Sequence, residues 1–318
     1  MKIQLSRYLC AAAGCAMLLA GMANECLAQR FVPGTGHKIT QVCDDFEDTK
    51  WSYRPNSPKA SHELDKQARG PNGFATNGKW QECFLRGQPD VVRRVDTPAG
   101  GLPGSQGALL LQSLYTGIPG QLTGQPQQDD LQMNVSQILR GAVSVNRHPS
   151  ATVRVYVPPF EQFENRTGSQ FGFRADTKGI GPKKSKGFFD FASGSEEVKE
   201  YWPGMFIEFH SETDPRFKKD SACLTIRSGP SGADIRGPEV TPGWWTLGLS
   251  FTPDGRIHYY ARKGIEDLTD ADYITSQYPY GYRCTVVNTI FFNVANMDNG
   301  RSWSTPWVID DPMFFWWK

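Results

Sequence analysis

The amino-acid sequence predicts an all-β protein, a two-sheet antiparallel jelly-roll sandwich with long Gly/Pro-rich loops and one or two short helices. The 318 residues include 32 glycines and 22 prolines, a composition that favours many turns. Apolar side chains recur at every second position in many short segments, and long helical periodicity is missing. Residues 244–263 also have the pattern of a hairpin with one apolar face. Such a face requires a second sheet to cover it.

This hairpin is predicted from local chemistry. Residues 247–251 alternate between apolar and small side chains, and the sequence Pro-Asp-Gly at 253–255 favours a tight turn into an antiparallel strand. Pairing Thr252 with Arg256 gives the apolar cross-strand pairs Phe251–Ile257 and Leu249–Tyr259. The opposite face then carries Trp244, His258 and Tyr260.

Residues 1–28 are predicted to be a signal peptide. Lys2 and Arg7 precede an apolar run at 8–23, and Cys26-Leu27-Ala28 resembles a cleavage site. The run is short for a membrane span, and no later segment is apolar enough to be one. We therefore expect an exported protein, located in the periplasm, at the cell surface or outside the cell, without a membrane span after leader removal. Residues 29–41 are predicted as a short linker, and 42–318 as a single jelly-roll domain.

The other elements are predicted in chain order. The acidic segment 42–48 is interpreted as an edge strand, and residues 55–78 as a long surface loop. One short helix is expected at 264–276. Alternation and apolar runs predict strands at 79–85, 108–113, 130–135, 151–157, 169–175, 204–212, 222–228, 285–295 and 307–317.

The cysteines are consistent with export. After leader removal four remain, and an even number in an oxidising compartment favours two disulfides with three possible connectivities. The preferred pairing is Cys43–Cys83 with Cys223–Cys284, because each bond stays within one half of the chain. Free buried thiols are the alternative.

The net charge argues against nucleic acid as a partner. Thirty-four basic side chains face 33 acidic ones, so the chain has no general positive field. A local basic run at 183–186 is interpreted as a solvated loop.

The residues of the hairpin carry a resemblance to a known superfamily. This hairpin resembles that of concanavalin A-like lectin and glucanase jelly rolls, including LamG-like domains. The resemblance is carried by the segments Gly243–Leu249 and Thr252–Ile257, followed by Tyr259 and Tyr260. Glucanases of this fold carry the motif E-x-D-x-x-E, which this sequence lacks. The resemblance therefore implies the fold and does not imply retaining hydrolysis.

The resemblance also implies a structural calcium ion, because the terminal strands of such domains pair and often hold one. Asp45, Glu47 and Asp310 lie in the two terminal segments and offer the oxygen ligands that calcium prefers. The alternative is that these charges protect a sheet edge from aggregation.

One group of strand residues resembles a catalytic set. Arg174, Glu208 and His210 resemble the Arg and His residues of jelly-roll polysaccharide lyases, in which a cation neutralises a uronate carboxylate and His or Tyr moves the proton. Ordinary polar residues on a strand face are the alternative.

Aromatic side chains near strand ends and in loops are candidate ligand-binding residues. Sugar rings present C–H faces that stack on aromatic planes. The candidates, together with His258, are Trp202, Trp244, Tyr260, Tyr278 and Tyr280. Filling of the core is the alternative.

The sequence thus favours an exported, non-catalytic protein that binds a polysaccharide or a cell-surface glycan. A polysaccharide lyase or glycoside hydrolase acting on a polysaccharide, anionic ones included, is the first alternative, and an envelope structural protein is the second.

Overall fold

The computed structural model describes residues 30–182 and 196–318. The predicted signal peptide and the basic run at 183–186 lie outside these ranges. Within them, no helix is long and apolar enough to cross a membrane.

The described residues form nineteen strands, two short α-helices and four 3-10 turns. The strands are β1 (His37–Lys38), β2 (Tyr53–Arg54), β3 (Phe74–Ala75), β4 (Trp80–Glu82), β5 (Val91–Val95), β6 (Ala108–Gln112), β7 (Gln127–Met133), β8 (Val143–Ser144), β9 (Ser150–Val157), β10 (Gly168–Pro182), β11 (Glu196–Tyr201), β12 (Gly204–His210), β13 (Ser221–Arg227), β14 (Asp234–Val240), β15 (Gly243–Phe251), β16 (Ile257–Lys263), β17 (Tyr273–Gln277), β18 (Arg283–Asn296) and β19 (Trp307–Trp316). The helices are α1 (His62–Asp65) and α2 (Val135–Leu139), and the 3-10 turns are Val145–Arg147, Phe160–Gln162, Asp270–Asp272 and Pro279–Gly281.

The strands pair into two antiparallel sheets. The smaller sheet has the order β17-β16-β15-β9-β19-β6-β5, with β1 added to β19. The larger sheet has the order β14-β13-β12-β10-β18-β7-β4-β3-β2, with β11 beside β10 and β8 beside β18. Strands distant in sequence are neighbours in both sheets, as in a jelly roll. The predicted fold class is confirmed.

The core lies between the sheets and is rich in aromatic rings. Phe171 and Phe173 of β10 each stack on Phe292 of β18, with ring centroids 5.9 and 5.7 Å apart. Trp307 of the smaller sheet meets Phe171 at 5.0 Å, so one cluster of rings joins both sheets. Because side chains alternate along a strand, the residues between these rings project to the outer face of the larger sheet.

The predicted hairpin is confirmed with its register. Phe251 pairs with Ile257 and Leu249 with Tyr259, and all four side chains are buried in the core.

Two predicted elements are wrong. Residues 42–48 form no strand, because Phe46 has a left-handed φ of 55° and is fully buried. Residues 264–276 form no α-helix. They contain the 3-10 turn and the start of β17, and the Ile265 carbonyl accepts a hydrogen bond from Arg154 Nε at 3.1 Å. The segment thus covers the smaller sheet. The predicted linker is also packed, since β1 pairs with β19.

The prediction of two disulfides is wrong for this structure, in which Cys43, Cys83, Cys223 and Cys284 are free and buried. Cys223 in β13 and Cys284 in β18 are separated by β12 and β10. Three strand spacings amount to about 14 Å, well beyond the ~7 Å between Cα atoms that a disulfide spans. Cys43 contacts the smaller sheet, where its Sγ accepts a hydrogen bond from the Phe314 amide, whereas Cys83 lies beside Gln132 of the larger sheet.

Candidate ligand-binding groove

A groove crosses the outer face of the larger sheet and has a volume of about 460 Å³. Its floor is formed by residues that lie directly opposite one another on five adjacent strands, β7, β18, β10, β12 and β13. Asp130 lies opposite Asn293, Asn293 opposite Gly172, Gly172 opposite Phe206, and Phe206 opposite Thr225. Strand alternation turns all of these residues away from the core, so side chains distant in sequence form one surface.

Two glycines give the floor its depth. A Cβ on Gly172 would lie 3.0 Å from Asn293 Cβ and 3.1 Å from the Phe206 ring, so this residue leaves room for its two neighbours. A Cβ on Gly204 would lie 2.5 Å from Arg174 Cγ. The Arg174 side chain therefore lies across the Gly204 backbone, a path that a larger residue would block.

Arg174 is packed between two aromatic rings in the groove. Its guanidinium carbon lies 5.2 Å from the centre of the Phe206 ring and 5.1 Å from that of Phe291, within the range of cation–π attraction. Its Nη2 donates to the Trp202 carbonyl at 2.8 Å, and its buried Nε has no partner among the described residues. Burial lowers the pKa of Arg174, yet a guanidinium stays charged at neutral pH.

A second arginine lies on the same aromatic ring. The Arg227 guanidinium carbon is 5.4 Å from the Phe206 centroid, and Arg227 Nη1 donates to the Gly232 carbonyl at 2.8 Å. The repulsion between the two guanidiniums contributes to the lowered pKa of Arg174. The guanidinium groups of two arginines thus lie near one ring at this end of the groove.

The carboxyl group of Asp130 is a buried polar group at the floor of the groove. It accepts a hydrogen bond from Asn293 Nδ2 at 2.7 Å. Burial raises the pKa of Asp130, and the charge of Arg174 opposes that rise. The carboxyl thus fixes the Asn293 amide and partly balances Arg174.

The charged side chains that line the groove are mostly positive. They are the four arginines Arg86, Arg166, Arg174 and Arg227, against the two acids Glu63 and Asp130. Glu63 is already paired with Arg86 at 2.6 Å, and Arg166 is paired with Glu164 at 2.7 Å. Arg227 Nη1 lies 3.3 Å from Asp234 Oδ1. Among the described residues, the least compensated charge in the groove is therefore that of Arg174, which only Asp130 partly balances.

The candidate catalytic residues lie on this face but do not all line the groove. Arg174 does, whereas Glu208 and His210 follow Phe206 on the outer face of β12. His210 Nε2 lies 3.4 Å from Glu208 Oε1, and the His210 ring stacks on Phe217 at 4.2 Å. His210 is buried by this stacking.

Of the candidate aromatic residues, Trp202 lines the groove. Trp244, His258 and Tyr260 are buried on the outer face of the smaller sheet. Tyr278 lies at the hairpin turn, where its hydroxyl accepts from Arg256 Nε at 3.2 Å. Tyr280 is partly buried, and its ring centroid is 6.3 Å from that of Tyr201. The aromatic candidates thus do not form one surface.

The acidic candidates of the terminal segments are bonded to protein donors. Asp310 Oδ2 accepts from Ser105 Oγ at 2.9 Å, and Glu47 Oε1 accepts from the Gln106 amide at 2.9 Å. Asp45 Oδ1 accepts from the Glu47 amide at 3.2 Å. Burial raises the pKa of Asp310 to about 7. No group of three His, Cys, Asp or Glu side chains in the described ranges is arranged to hold a metal ion. Calcium binding stays a prediction.

The sequence matches no protein-family model and no curated protein. Among solved structures, the alginate lyase Aly36B is 10% identical over 86% of this chain and 96% of its own, with a TM-score of 0.41. The carbohydrate esterase of the Shiga toxin-encoding bacteriophage phi24B is 11% identical over 76% of this chain and 91% of its own, with a TM-score of 0.41. An endo-beta-1,4-glucuronan lyase from the fungus Trichoderma reesei is 12% identical over 71% and 90%, with a TM-score of 0.33. At this level of similarity these proteins carry no information about the activity of this chain.

Several residues of the groove were not identified from the sequence. They are Asp130, Phe206, Arg227, Phe291 and Asn293. The strands at 130–135, 204–212, 222–228 and 285–295 were predicted, and alternation along each gives the outer face. The missing information was the order of the strands, which local patterns do not contain.

Proposed function

We propose that the protein is an exported, non-catalytic binder of an acidic polysaccharide, which lies along the groove of the larger sheet. The observation that carries the proposal is Arg174, a cation held between two aromatic rings. A guanidinium forms charge-assisted hydrogen bonds to a carboxylate or sulfate group. Amide side chains beside it supply donors and acceptors for hydroxyl groups.

The composition of the groove favours binding over elimination. Removal of a proton next to a uronate carboxylate needs a base such as His, Tyr or Lys within reach of the substrate. Among the described residues that line the groove, none is of these types. Asp130, the carboxyl at the floor, is already bonded to Asn293.

A polysaccharide lyase is the second candidate. The observation that favours it is the contact between Glu208 and His210, 3.4 Å apart on the outer face of the strand that carries Phe206. A ligand that displaced Phe217 from the His210 ring would expose an imidazole with a carboxylate partner on the same face of the sheet as Arg174.

The test compares two arginines. Arg227→Ala removes a groove cation, and Arg216→Ala removes a cation outside the groove whose side chain is 71% exposed. Loss of one charge-assisted hydrogen bond is worth about 1.5–3 kcal/mol, which corresponds to roughly 10- to 100-fold weaker binding. We expect this loss for Arg227→Ala on polyuronates by calorimetry, and nearly unchanged binding for Arg216→Ala.

Two outcomes would count against the proposal. Equal losses for both variants would indicate nonspecific charge attraction, and binding of acidic polysaccharides that Arg227→Ala leaves unchanged would remove the role of this arginine. Unsaturated uronate products that appear with the wild type and disappear with His210→Ala would select the lyase instead.

A further inference from the structure

A second pocket lies in the loops at one end of the sandwich. It has a volume of about 210 Å³ and is lined by the loop from Tyr115 to Leu122 together with Lys59 and Asp298. It shares no lining residue with the groove of the larger sheet. The pocket combines an exposed ring with a buried carboxylate.

The ring of Tyr115 is exposed but supported from behind. Tyr115 is 53% exposed and Leu122 is 55% exposed. A Cβ on Gly300 would lie 3.1 Å from Tyr115 Cε1 and 2.9 Å from Leu122 Cδ1, so both side chains rest on the Gly300 backbone. A supported aromatic face that remains open to solvent suits stacking of a flat, partly apolar ligand.

The carboxylate of Asp298 has one free oxygen. Asp298 is fully buried, and its Oδ2 accepts hydrogen bonds from the Thr123 amide at 2.9 Å and from Thr123 Oγ1 at 2.8 Å. Its Oδ1 is buried without a partner among the described residues. Because leaving a buried acceptor unpaired costs free energy, a ligand that donates a hydrogen bond there is favoured.

The charges around the pocket disfavour an anion. The Lys59 ammonium is committed to Asp129 at 2.6 Å and to Asp90 at 3.4 Å, and it also donates to the Tyr115 carbonyl. Lys59 is therefore neutralised. The remaining charge at the pocket is the carboxylate of Asp298, which repels an acidic group and attracts a hydroxyl donor.

We propose that this pocket is a second carbohydrate-binding site, which takes one uncharged sugar ring. The C–H face of the ring stacks on Tyr115, and one hydroxyl donates to Asp298 Oδ1. The site differs in charge from the groove and stands independently of the function proposed for it. Gln127 lies between the two sites. It lines the groove, and it also packs beside Gly117 of the loop from Tyr115 to Leu122, where a Cβ on the glycine would lie 3.3 Å from Gln127 Cγ.

The experiment measures binding of neutral hexose oligosaccharides to the full protein by calorimetry. Tyr115→Ala removes the stacking ring, and Trp303→Ala removes a 44%-exposed aromatic that does not line the pocket. Because Tyr115→Ala removes both the stacking and the contact area of the ring, we expect a roughly tenfold loss of affinity. Trp303→Ala and the groove variant Arg227→Ala should bind as the wild type does.

A second variant tests the carboxylate. Asp298→Asn has nearly the same shape and can keep the acceptor facing Thr123, while the amide nitrogen replaces the free oxygen. We expect it to weaken neutral-sugar binding about tenfold with an unchanged melting temperature. Three outcomes would overturn the proposal. The first is an equal loss of affinity for Tyr115→Ala and Trp303→Ala, and the second is no detectable binding of neutral sugars by the wild type. The third is a preference for uronates that depends on Tyr115. None of these results depends on whether the groove binds acidic polysaccharide.

Discussion

The buried imidazole of His258 makes the stability of this protein depend on pH in a predictable direction. His258 is fully buried, with its Nε2 2.8 Å from Thr252 Oγ1 and its Nδ1 2.5 Å from Ser276 Oγ. Burial lowers the pKa of His258 from 6.5 to about 4, and the nearby charges of Arg256 and Arg30 add to the effect while Asp254 opposes it.

The sign follows from proton binding in the two states. Below its ordinary pKa, His258 is protonated in the unfolded chain but stays neutral in the folded protein until the pH approaches the folded pKa. The unfolded state therefore binds more protons, and stability falls as the pH drops from 6.5 towards about 4. The shift corresponds to a loss of about 2 kcal/mol at about pH 5 and about 3 kcal/mol at full protonation.

Urea unfolding of the wild type and of His258→Gln at about pH 7.5 and about pH 5 measures this loss. The wild type should lose about 2 kcal/mol more than the variant between these conditions, because glutamine does not titrate. Asp310, whose pKa burial raises to about 7, makes the folded protein more stable as the pH falls, which is opposite to the effect of His258. The quantity to compare is therefore the difference between wild type and variant in how the free energy of unfolding changes with pH. His37→Gln, at an exposed position, is the control. An equal pH dependence for wild type and His258→Gln would refute the reasoning.

Two further predictions concern buried groups. Lys59→Met removes the ion partner of the buried Asp129 carboxyl, whose pKa burial raises to about 8. The free energy of unfolding should fall by about 3–5 kcal/mol in urea titrations, and a second change Asp129→Asn should restore part of it. A loss below about 1 kcal/mol would contradict the prediction and indicate that Asp129 takes up a proton when its partner is removed. The four buried cysteines should resist alkylation in the native protein, and all four should react in denaturant without reductant. If the mass of the unreduced protein is instead lower than that of the reduced protein by two hydrogens per cysteine pair, the disulfide prediction is restored.

The sequence predicted those features that local chemistry determines. The turn at 253–255 and the alternation around it determine the register of the hairpin, which the structure reproduces. The same alternation places Arg174 on the outer face of β10, opposite the buried Phe173. Both predictions need only the residues within one strand or one turn.

The other polar residues of the groove that surrounds Arg174 could not be predicted in this way. Asn293 donates to Asp130 across a separation of 163 residues, and the two meet only because β18 lies beside β7. The disulfide prediction was wrong for the same reason, since it assumed that cysteines within one half of the chain are neighbours. Strand order depends on the whole chain, so a single sequence identifies the faces of strands more reliably than the site that they form.

Two glycines show why the outer faces of the two sheets differ in how they are covered. Gly248 lies on the outer face of the smaller sheet, and a Cβ there would collide with Leu268 and Pro33, which belong to segments that cover the sheet. The atoms nearest to a Cβ on Gly172 of the larger sheet belong to Asn293 and Phe206, neighbours within its own sheet. The same small residue therefore admits a covering segment on one face and leaves a hollow on the other. His258 and Tyr260 lie beneath the covered face, and a ligand that reaches the open face meets Arg174 instead.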